Sequence, residues 1–312
     1  MSAPSEAVAK ARAQGLAVPA FNVPYLPMVE PVIAAVADAD CWALVATARL
    51  EWLKFASQGP AAVAREYARW ARPGYTGLHL DHVPVIDEDG HRVDYMPIVR
   101  EALDLGYASV MIDGSRLPLQ ENIAITREVV ELAHAAGVPC EAELGAVLGH
   151  EIGPHPPYEE LFANRLGFTD PDEAQRFVRE TGCDWLSVAI GNVHGAIAGL
   201  LKDQKKPQAR LDLEHLQRLA TATRVPLVLH GGSGLSQADV LQSMQRGIAK
   251  INIAAEIRQA YEQTLRETQR VGAAQAAVYQ RTTWLLVDHL RLAGTRARLD
   301  GTPHHFARSG EL

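Results

Sequence analysis

Short apolar segments alternate with longer segments of helical period along most of this chain. Eight of the apolar segments are rich in β-branched residues and have the length of buried strands. They cover residues 18–23, 41–48, 75–82, 108–113, 138–144, 184–190, 225–230 and 249–254. The helical segments between them, such as residues 122–137 and 172–182, are long enough to connect parallel strands. This alternation predicts an α/β fold in which helices cover a parallel sheet.

Glycines mark the ends of several predicted helices. Each follows a helical pattern and precedes a strand, where a left-handed residue ends a helix: Gly106, Gly137, Gly182 and Gly247. Eight strand-helix units need about 250 residues in a closed (β/α)8 barrel. The alternative is an open doubly wound sheet, but Asn22-Val23-Pro24 stands where its glycine-rich phosphate turn is expected. We predict a single (β/α)8 TIM barrel over residues 1–312, with a C-terminal helical extension over about residues 255–296.

Composition excludes several classes of function. The formal net charge of −7 argues against a nucleic-acid partner, since such proteins concentrate excess lysine and arginine. No apolar run reaches the roughly 20 residues that span a bilayer, and the N-terminal residues lack the apolar core of a secretory signal. We therefore predict a cytoplasmic protein with no membrane partner. Three unpatterned cysteines are predicted to be reduced core residues: Cys41, Cys140 and Cys183.

Ionisable and amide side chains gather at or near the carboxyl ends of the predicted strands. Enzymes with barrel folds place their catalytic groups at this end. An ionisable residue in a strand that is buried on both faces is unfavourable unless it is paired or binds a metal. The residues concerned are Asp81, His82, Asp113, Glu141, Glu143, His194, His230 and Asn252. Their common position predicts an active site at the carboxyl end of the barrel.

Three of these residues are histidines from the ends of strands three, six and seven. His82, His194 and His230 together leave the fourth tetrahedral position of Zn²⁺ open, as in catalytic zinc sites. Zinc in such a site polarises a ketone oxygen as a Lewis acid. Asp81 would point away from its neighbour His82 in a regular strand, because successive side chains alternate between faces. The strand must therefore bend or end there if both residues share the site.

Several motifs occur together, in order, along most of the chain. They are AFNV (20–23), LHLDH (78–82), SVMIDGSRLP (109–118), EAELG (141–145), the turn Gly149-His150-Glu151, VAIGNVHG (188–195), LVLHGGSG (227–234) and KINIAAEIR (250–258). In this order and spacing they resemble the class II, zinc-dependent fructose- and tagatose-bisphosphate aldolases. The resemblance extends from about residue 5 to residue 296. It implies a reversible aldol cleavage of a ketose or ketose phosphate through an enediolate.

The resemblance implies metal ligands and residues that move protons. It assigns zinc to His82, His194 and His230, and a second divalent or a monovalent cation to Asp113 and Glu143. It makes Asp81 the acid/base on the hydroxyl whose proton leaves as the carbon-carbon bond breaks. Glu151, on a loop, would move the proton at the carbon that becomes nucleophilic, and Asn252 would steady the enediolate. Two separate carboxylates and a metal are what retro-aldol chemistry requires.

Substrate contacts follow from the same motifs. The residues expected to bind substrate are Asn22, Gly195, Gly231, Gly232, Ser233 and Arg258. Backbone N–H groups of the GGSG segment can bind an anion. Arg258 matches an arginine that in some relatives crosses a subunit interface to bind the distal phosphate.

Three alanines depart from the family pattern. Ala198 and Ala255 replace a lysine and a threonine that usually bind the donor phosphate. Ala254 replaces the aspartate of fructose-bisphosphate enzymes and matches the alanine of tagatose-bisphosphate enzymes. The missing contacts predict a non-standard or unphosphorylated donor, unless nearby basic residues replace them. The candidates for replacement are Lys202, Lys205, Lys206, Arg49 and Arg116.

The sequence therefore predicts a zinc-dependent aldolase whose partner is a small ketose or aldehyde. We expect it to form a homodimer or homotetramer. Two alternatives remain at this point. A zinc hydrolase of the amidohydrolase type would usually carry His-x-His on the first strand, where this chain has Asn22. A noncatalytic sugar-binding homologue would keep the fold without turnover.

Overall fold

The computed structural model describes residues 4–147, 157–193, 209–232 and 234–300. The described residues form eight strands: Val18–Asn22 (β1), Ala43–Ala48 (β2), Thr76–Pro84 (β3), Ser109–Asp113 (β4), Cys140–Leu144 (β5), Trp185–Val188 (β6), Leu227–Leu229 (β7) and Ile248–Ile253 (β8). Each strand pairs in parallel with the next, and β8 pairs with β1, so the sheet closes. The predicted (β/α)8 barrel is confirmed.

Helices surround the barrel. They are Pro4–Gln14 (α1), Val29–Asp38 (α2), Arg49–Lys54 (α3), Pro60–Trp70 (α4), Tyr95–Asp104 (α5), Leu119–Ala135 (α6), Tyr158–Ala163 (α7), Pro171–Thr181 (α8), Leu213–Thr223 (α9), Gln237–Met244 (α10), Ala255–Thr268 (α11), Val271–Trp284 (α12) and Arg296–Asp300 (α13). A 3₁₀ turn lies at Leu26–Met28, and a π-helical turn at Leu285–His289 continues α12. The helices α11 and α12 follow the last strand, and α12 packs on α2.

Local sequence explains how these elements begin and end. Asp170 begins α8, because its carboxylate accepts hydrogen bonds from the backbone N–H groups of Asp172 and Glu173 at 2.9 and 3.0 Å. Gly182 ends the same helix with φ 70°, a left-handed conformation that glycine adopts without strain. The other three glycines at predicted helix ends also have positive φ. The four glycines predicted to end helices therefore lie at helix ends in the structure.

One end of the barrel is closed by apolar side chains. Ala7 and Val8 of α1 pack with Trp185 and Leu44 from the barrel interior. Helix α1 contacts β1 and β8, and its apolar side chains pack with Val18 and Trp185, the first residues of β1 and β6, so it covers the amino ends of the strands. The carboxyl ends are therefore left to form the site.

The three predicted core cysteines are buried. Cys41, Cys140 and Cys183 are buried free cysteines, as predicted. Among the described helices, none combines the length and the apolar character of a membrane span.

Candidate active site

A cavity of about 510 Å³ opens at the carboxyl end of the barrel. Its lining includes residues at or just after the ends of six strands, all of which were predicted as site residues: Asn22, Asp81, His82, Asp113, Glu143, His230 and Asn252. Parallel strands bring their carboxyl ends to the same rim, which explains why residues distant in sequence meet here.

A bulge in β3 places two neighbouring residues in this cavity. The register between β3 and β4 shifts between Leu80 and Val83, and His82 has φ 30°. A positive φ is unfavourable for a residue with a Cβ, so this conformation must be held by its surroundings. Because of the bulge, Asp81 and His82 both line the cavity instead of facing opposite sides. The bend that their shared site requires is therefore present.

Two imidazoles face each other at the bottom of the cavity. We call this part of the site the floor; it consists of Asp81, His82, Glu141, His230 and Lys250. His82 Nε2 lies 2.6 Å from His230 Nδ1, and the rings are nearly perpendicular. The other nitrogen of His230, Nε2, lies 2.8 Å from Glu141 Oε1. Because a carboxylate only accepts, this contact places a proton on Nε2 and leaves the Nδ1 lone pair toward His82. Carboxylate contacts of this kind orient histidines that bind metals.

The carboxylate of Glu141 also forms a buried ion pair. Lys250 Nζ lies 2.7 Å from Glu141 Oε2, and neither side chain is exposed to solvent. The same ammonium donates to Asn252 Oδ1 at 2.6 Å, and Asn252 Nδ2 donates to Asp81 Oδ1 at 2.8 Å. Lys250 thus links the histidine end of the floor to Asp81. We did not predict Lys250 as a site residue, although a lysine within an apolar strand was a signal for it.

Asp81 is held as a carboxylate. Its second oxygen, Oδ2, accepts from Asn22 Nδ2 at 2.8 Å. Burial alone would raise the pKa of Asp81, but the positive charge of His82, the nearby imidazole of His79 and the ammonium of Lys250 hold that pKa well below its usual range. Asp81 is therefore ionised at neutral pH and can accept a proton.

A second group of side chains adjoins His82 on the β4 and β5 side. Asp113 Oδ2 lies 3.3 Å from His82 Nδ1, and Glu143 Oε2 lies 4.0 Å from the same atom. Burial would raise the pKa of Asp113, but hydrogen bonds from His82 and Ser115 lower it to about 2. Burial and the nearby Asp113 carboxylate raise the pKa of Glu143 to about 8. The two acids thus differ in charge at neutral pH.

The electrostatic field at the floor favours positive charge. Burial lowers the pKa of His82, yet the carboxylates of Asp81 and Asp113 raise it to about 10 overall. Among the described residues, side chains whose ligand atoms lie within 4.8 Å of one another form three groups that could hold a cation: Asp81, His82 and His230; His82, Asp113 and Glu143; and His79, Asp81 and Glu141. In the last group, Glu141 is already paired with Lys250. The first two groups therefore fit a cation better.

Several predicted site residues lie outside the described part of the chain: Glu151, His194, Gly195, Ser233, Ala198, Lys202, Lys205 and Lys206. Of the predicted anion-binding glycines, Gly231 lines the cavity. A Cβ on Gly232 would lie 3.1 Å from the side chain of Ile251, so this position favours a residue without one.

Arg258 lines the cavity of its own chain, together with Ala254 and Ala255. Its guanidinium pairs with Glu262 Oε2 at 2.7 Å and lies 5.0 Å from the ring centre of Phe55. The described residues therefore already give this arginine a partner within the chain. Its charge is partly neutralised before any anion binds.

Arg49 and Arg116, the other two described residues that could replace the missing phosphate contacts, lie near Asp87. Arg116 lines the cavity and donates to the backbone oxygen of Asp87 at 2.7 Å. Arg49 pairs with Asp87 Oδ2 at 3.3 Å and is not among the described residues that line the cavity. Arg116 is the better placed of the two to meet a substrate.

Glu51 is a cavity residue that sequence reasoning missed. It lies in the first turn of α3, is 5% exposed and lines the cavity. Its charge and its place immediately after β2 were the available signals. The orientation of a single helical turn cannot be read from the sequence pattern.

Comparisons with known proteins identify one family. The model of the class II fructose-bisphosphate aldolase family matches residues 3–294. YdjI of Escherichia coli K12 is 43% identical over 187 residues, which cover 60% of this chain and 62% of that protein. A fructose-bisphosphate aldolase of Staphylococcus epidermidis is 37% identical over 190 residues, which cover 61% of this chain and 58% of that protein. The matched region thus spans less than two thirds of either relative.

Solved structures show the same architecture. The crystal structure of the YdjI aldolase from Escherichia coli K12 superposes with a TM-score of 0.72 at 29% identity, covering 96% of this chain and 100% of that one. The fructose-bisphosphate aldolase Fba of Campylobacter jejuni superposes with a TM-score of 0.68, covering 92% of this chain and 94% of that one. At 18% identity, the second comparison shows the fold alone.

Proposed function

Because this chain belongs to the class II fructose-bisphosphate aldolase family, we propose that it is a zinc-dependent lyase that reversibly cleaves a ketose or ketose phosphate. The observation that carries the proposal is the position of Asp81. A buried, ionised carboxylate lies beside two facing imidazoles at the floor of a cavity large enough for a sugar. This arrangement unites a proton acceptor with a cation site.

The donor atoms of the floor fit zinc. His82 Nε2 and His230 Nδ1 face each other, and Glu141 fixes the ring of His230 through its other nitrogen. We propose His82, His194 and His230 as the zinc ligands, with Asp113 and Glu143 available to a second cation. Zinc bound by three imidazoles supplies a Lewis acid that polarises the ketone oxygen of the substrate.

Asp81 is proposed to take the proton from the hydroxyl whose carbon becomes the aldehyde. Asn22 and Asn252 hold one carboxylate oxygen each, so the carboxylate has a fixed orientation before the substrate arrives. Asn252 is further proposed to steady the donor fragment when the carbon-carbon bond breaks. Glu151, which follows β5 in the sequence, is proposed to exchange the proton on that fragment. Separate carboxylates then serve the two proton transfers.

The wall of the cavity, which consists of Glu51, Ala254, Ala255 and Arg258, favours a substrate other than fructose 1,6-bisphosphate. Ala254 and Ala255 offer neither charge nor hydroxyl to a phosphate, and Arg258 is already paired with Glu262. A hydrogen bond to a charged group stabilises a complex by roughly 1.5 to 3 kcal/mol. We therefore propose that the donor is non-standard or unphosphorylated.

The test is a cleavage screen of the zinc-loaded protein. The substrates are fructose 1,6-bisphosphate, tagatose 1,6-bisphosphate, their monophosphates and unphosphorylated ketoses. We expect aldehyde release from at least one ketose and a low kcat/KM for fructose 1,6-bisphosphate. A kcat/KM of about 10⁴ M⁻¹s⁻¹ or more for that substrate would contradict the altered specificity. Absence of cleavage across the whole panel would contradict the aldolase assignment.

A matched variant sharpens the substrate part of the screen. Ala198→Lys combined with Ala255→Thr restores two contacts that relatives use for phosphate. We expect kcat/KM to rise by roughly 10-fold or more for phosphorylated donors and to stay unchanged for unphosphorylated ones, because binding energy at a remote group lowers the barrier at the reacting carbon. Equal changes for both donor classes would argue that the alanines do not set specificity.

A further inference from the structure

The side chain of Glu51 is fixed against the cavity wall. Its Oε2 accepts a hydrogen bond from the backbone N–H of Ala48 at 2.9 Å, which folds the side chain back over the start of α3. The helix packs on β2 and β3, so its first turn is anchored. Leu50 and Phe55 line the cavity beside it. A buried carboxyl group is thus held at the substrate-facing surface, with Leu50 and Phe55 on one side and the polar side chains of Asn22 and Asp81 nearby.

No described cation compensates this carboxyl group. Within the described ranges, Glu51 has no lysine, arginine or histidine within ion-pair distance. Burial raises the pKa of Glu51 to about 8, and the negative charge of Asp81 contributes in the same direction. Glu51 therefore keeps its proton near neutral pH. A protonated carboxyl group both donates and accepts a hydrogen bond.

The neighbouring amide has an unused acceptor. Asn22 is 3% exposed and lines the cavity, and its Oδ1 has no hydrogen-bond partner among the described residues. Its Nδ2 already donates to Asp81. A buried acceptor without a partner is unfavourable, and a ligand that donates to it removes the penalty. A hydroxyl group could donate to Asn22 Oδ1 and accept from Glu51.

This part of the wall lies away from the predicted anion-binding glycines. Gly231 follows β7, whereas Glu51 follows β2, and β8 and β1 stand between these strands. A substrate that extends from Gly231 past β8 and β1 would bring its aldehyde half to Glu51. An anionic phosphate at Glu51 would meet the ionised Asp81 nearby, and like charges at short range repel.

We propose that Glu51, together with Asn22, binds an uncharged hydroxyl group on the aldehyde half of the substrate. The inference rests on the proposed aldolase function and adds a specificity residue to it. A site built to bond a hydroxyl discriminates strongly against an analogue that lacks it, because the polar groups of the protein are then left unpaired. Glu51 therefore selects aldehydes that carry a free hydroxyl next to the carbonyl carbon.

The test compares two aldehydes in the direction of bond formation. Glyceraldehyde and 3-hydroxypropanal differ by one hydroxyl, and the donor is dihydroxyacetone or its phosphate. We expect wild-type protein to prefer glyceraldehyde in kcat/KM, and Glu51→Leu to reduce this preference by roughly 10-fold or more. Glu51→Ala provides a second loss variant should leucine prevent folding. Glu51→Gln, which can still donate and accept, should retain most of the preference.

The contradicting result is an unchanged preference in both loss variants. Such a result would give Glu51 a purely structural role toward the backbone of Ala48. Glu121→Gln, an exposed glutamate on α6, serves as the control for glutamate substitution in general. Its aldehyde preference should equal that of the wild type.

A binding measurement separates this inference from the proposed function. Saturation-transfer NMR records binding of D-fructose and D-tagatose without turnover. Weaker binding by Glu51→Leu than by Glu51→Gln supports the hydroxyl subsite even if no aldol cleavage is found. Equal binding by the two variants, or no binding of either sugar by wild-type protein, would overturn it.

Discussion

The floor and the wall of the cavity differ in how their charges are arranged. The floor consists of Asp81, His82, Glu141, His230 and Lys250, and each of these side chains faces an opposite charge or a hydrogen-bond partner. The wall consists of Glu51, Ala254, Ala255 and Arg258. Its glutamate has no described cation, and its arginine is paired within the chain.

In the proposed function, the floor carries out the reaction and the wall recognises the substrate. The floor residues lie on or directly after strands, where the hydrogen-bonded ladder of the barrel fixes their positions. The wall residues lie on α3 and at the start of α11, outside that ladder. Changes in the wall can therefore alter which substrate binds while the floor keeps the chemistry. We expect floor variants to affect every substrate and wall variants to affect substrates selectively.

The largest effect is expected from loss of a zinc ligand. His194→Ala and His230→Ala should reduce turnover of every ketose to background, because the site falls to two imidazoles. Metal analysis of the purified protein should show less zinc per chain. His91→Ala, at a histidine whose side chain is 79% exposed, should keep both zinc and activity. Full activity in protein stripped of metal would contradict the floor as a zinc site.

The next largest effect concerns the two proposed proton transfers. Asp81→Ala should slow cleavage by roughly 100-fold or more, since general acid-base catalysis contributes about that much. Exchange of the α-proton of the donor with solvent deuterium should remain measurable in Asp81→Ala and be suppressed in Glu151→Ala. NMR follows the exchange directly. Suppression of exchange in both variants would show that the transfers are not divided between these residues.

A smaller effect is expected from a change in the buried ion pair of Glu141 and Lys250. Glu141→Gln should weaken zinc binding by about 10- to 100-fold, because it removes the carboxylate that orients His230. It should also lower the free energy of unfolding by roughly 3 to 5 kcal/mol, since Lys250 is left buried without a counter-charge. Chelator competition and denaturant unfolding measure the two quantities.

A double variant distinguishes the two consequences of that change. Glu141→Gln combined with Lys250→Met removes both charges and should recover much of the lost stability. Zinc affinity should stay low, because the contact that orients His230 is still altered. Recovery of zinc affinity along with stability would mean that Glu141 acts only through the ion pair.

The last expected effect is confined to stability and is a pH dependence that arises in the wall. The pKa of Glu51 rises from its ordinary value of 4.5 to about 8 in the folded protein, mainly through burial. Between these values the folded state holds a proton that the unfolded state releases, so stability falls as pH rises. The slope is at most about 1.4 kcal/mol per pH unit.

Glu51→Gln removes this titration. Its free energy of unfolding, relative to the wild type, should increase from about pH 5 to pH 8 and change little above that. Denaturant unfolding of both proteins across this range measures the difference, with Glu121→Gln as the surface control. Parallel pH profiles for wild type and Glu51→Gln would show that the folded protein does not hold this proton.

The barrel and much of its floor could be predicted from the sequence. Short strand segments alternate with longer helical segments, and glycines such as Gly182 mark the helix ends, so local signals predict the topology. Asp81, His82 and His230 were recognisable because ionisable residues are unfavourable in strands buried on both faces. These signals are carried by each segment alone and do not depend on what the segment packs against.

The tertiary structure determined which side chains from different segments meet. Pairing with β4 produces the bulge that turns both Asp81 and His82 into the cavity, and a regular strand would have separated them. Lys250 meets Glu141 although β8 and β5 are not neighbours in the sheet, because closure of the barrel brings their inward side chains together. Glu51 faces the cavity because α3 is packed on β2 and β3. Each of these contacts depends on distances across the barrel, which a linear pattern of residues does not contain.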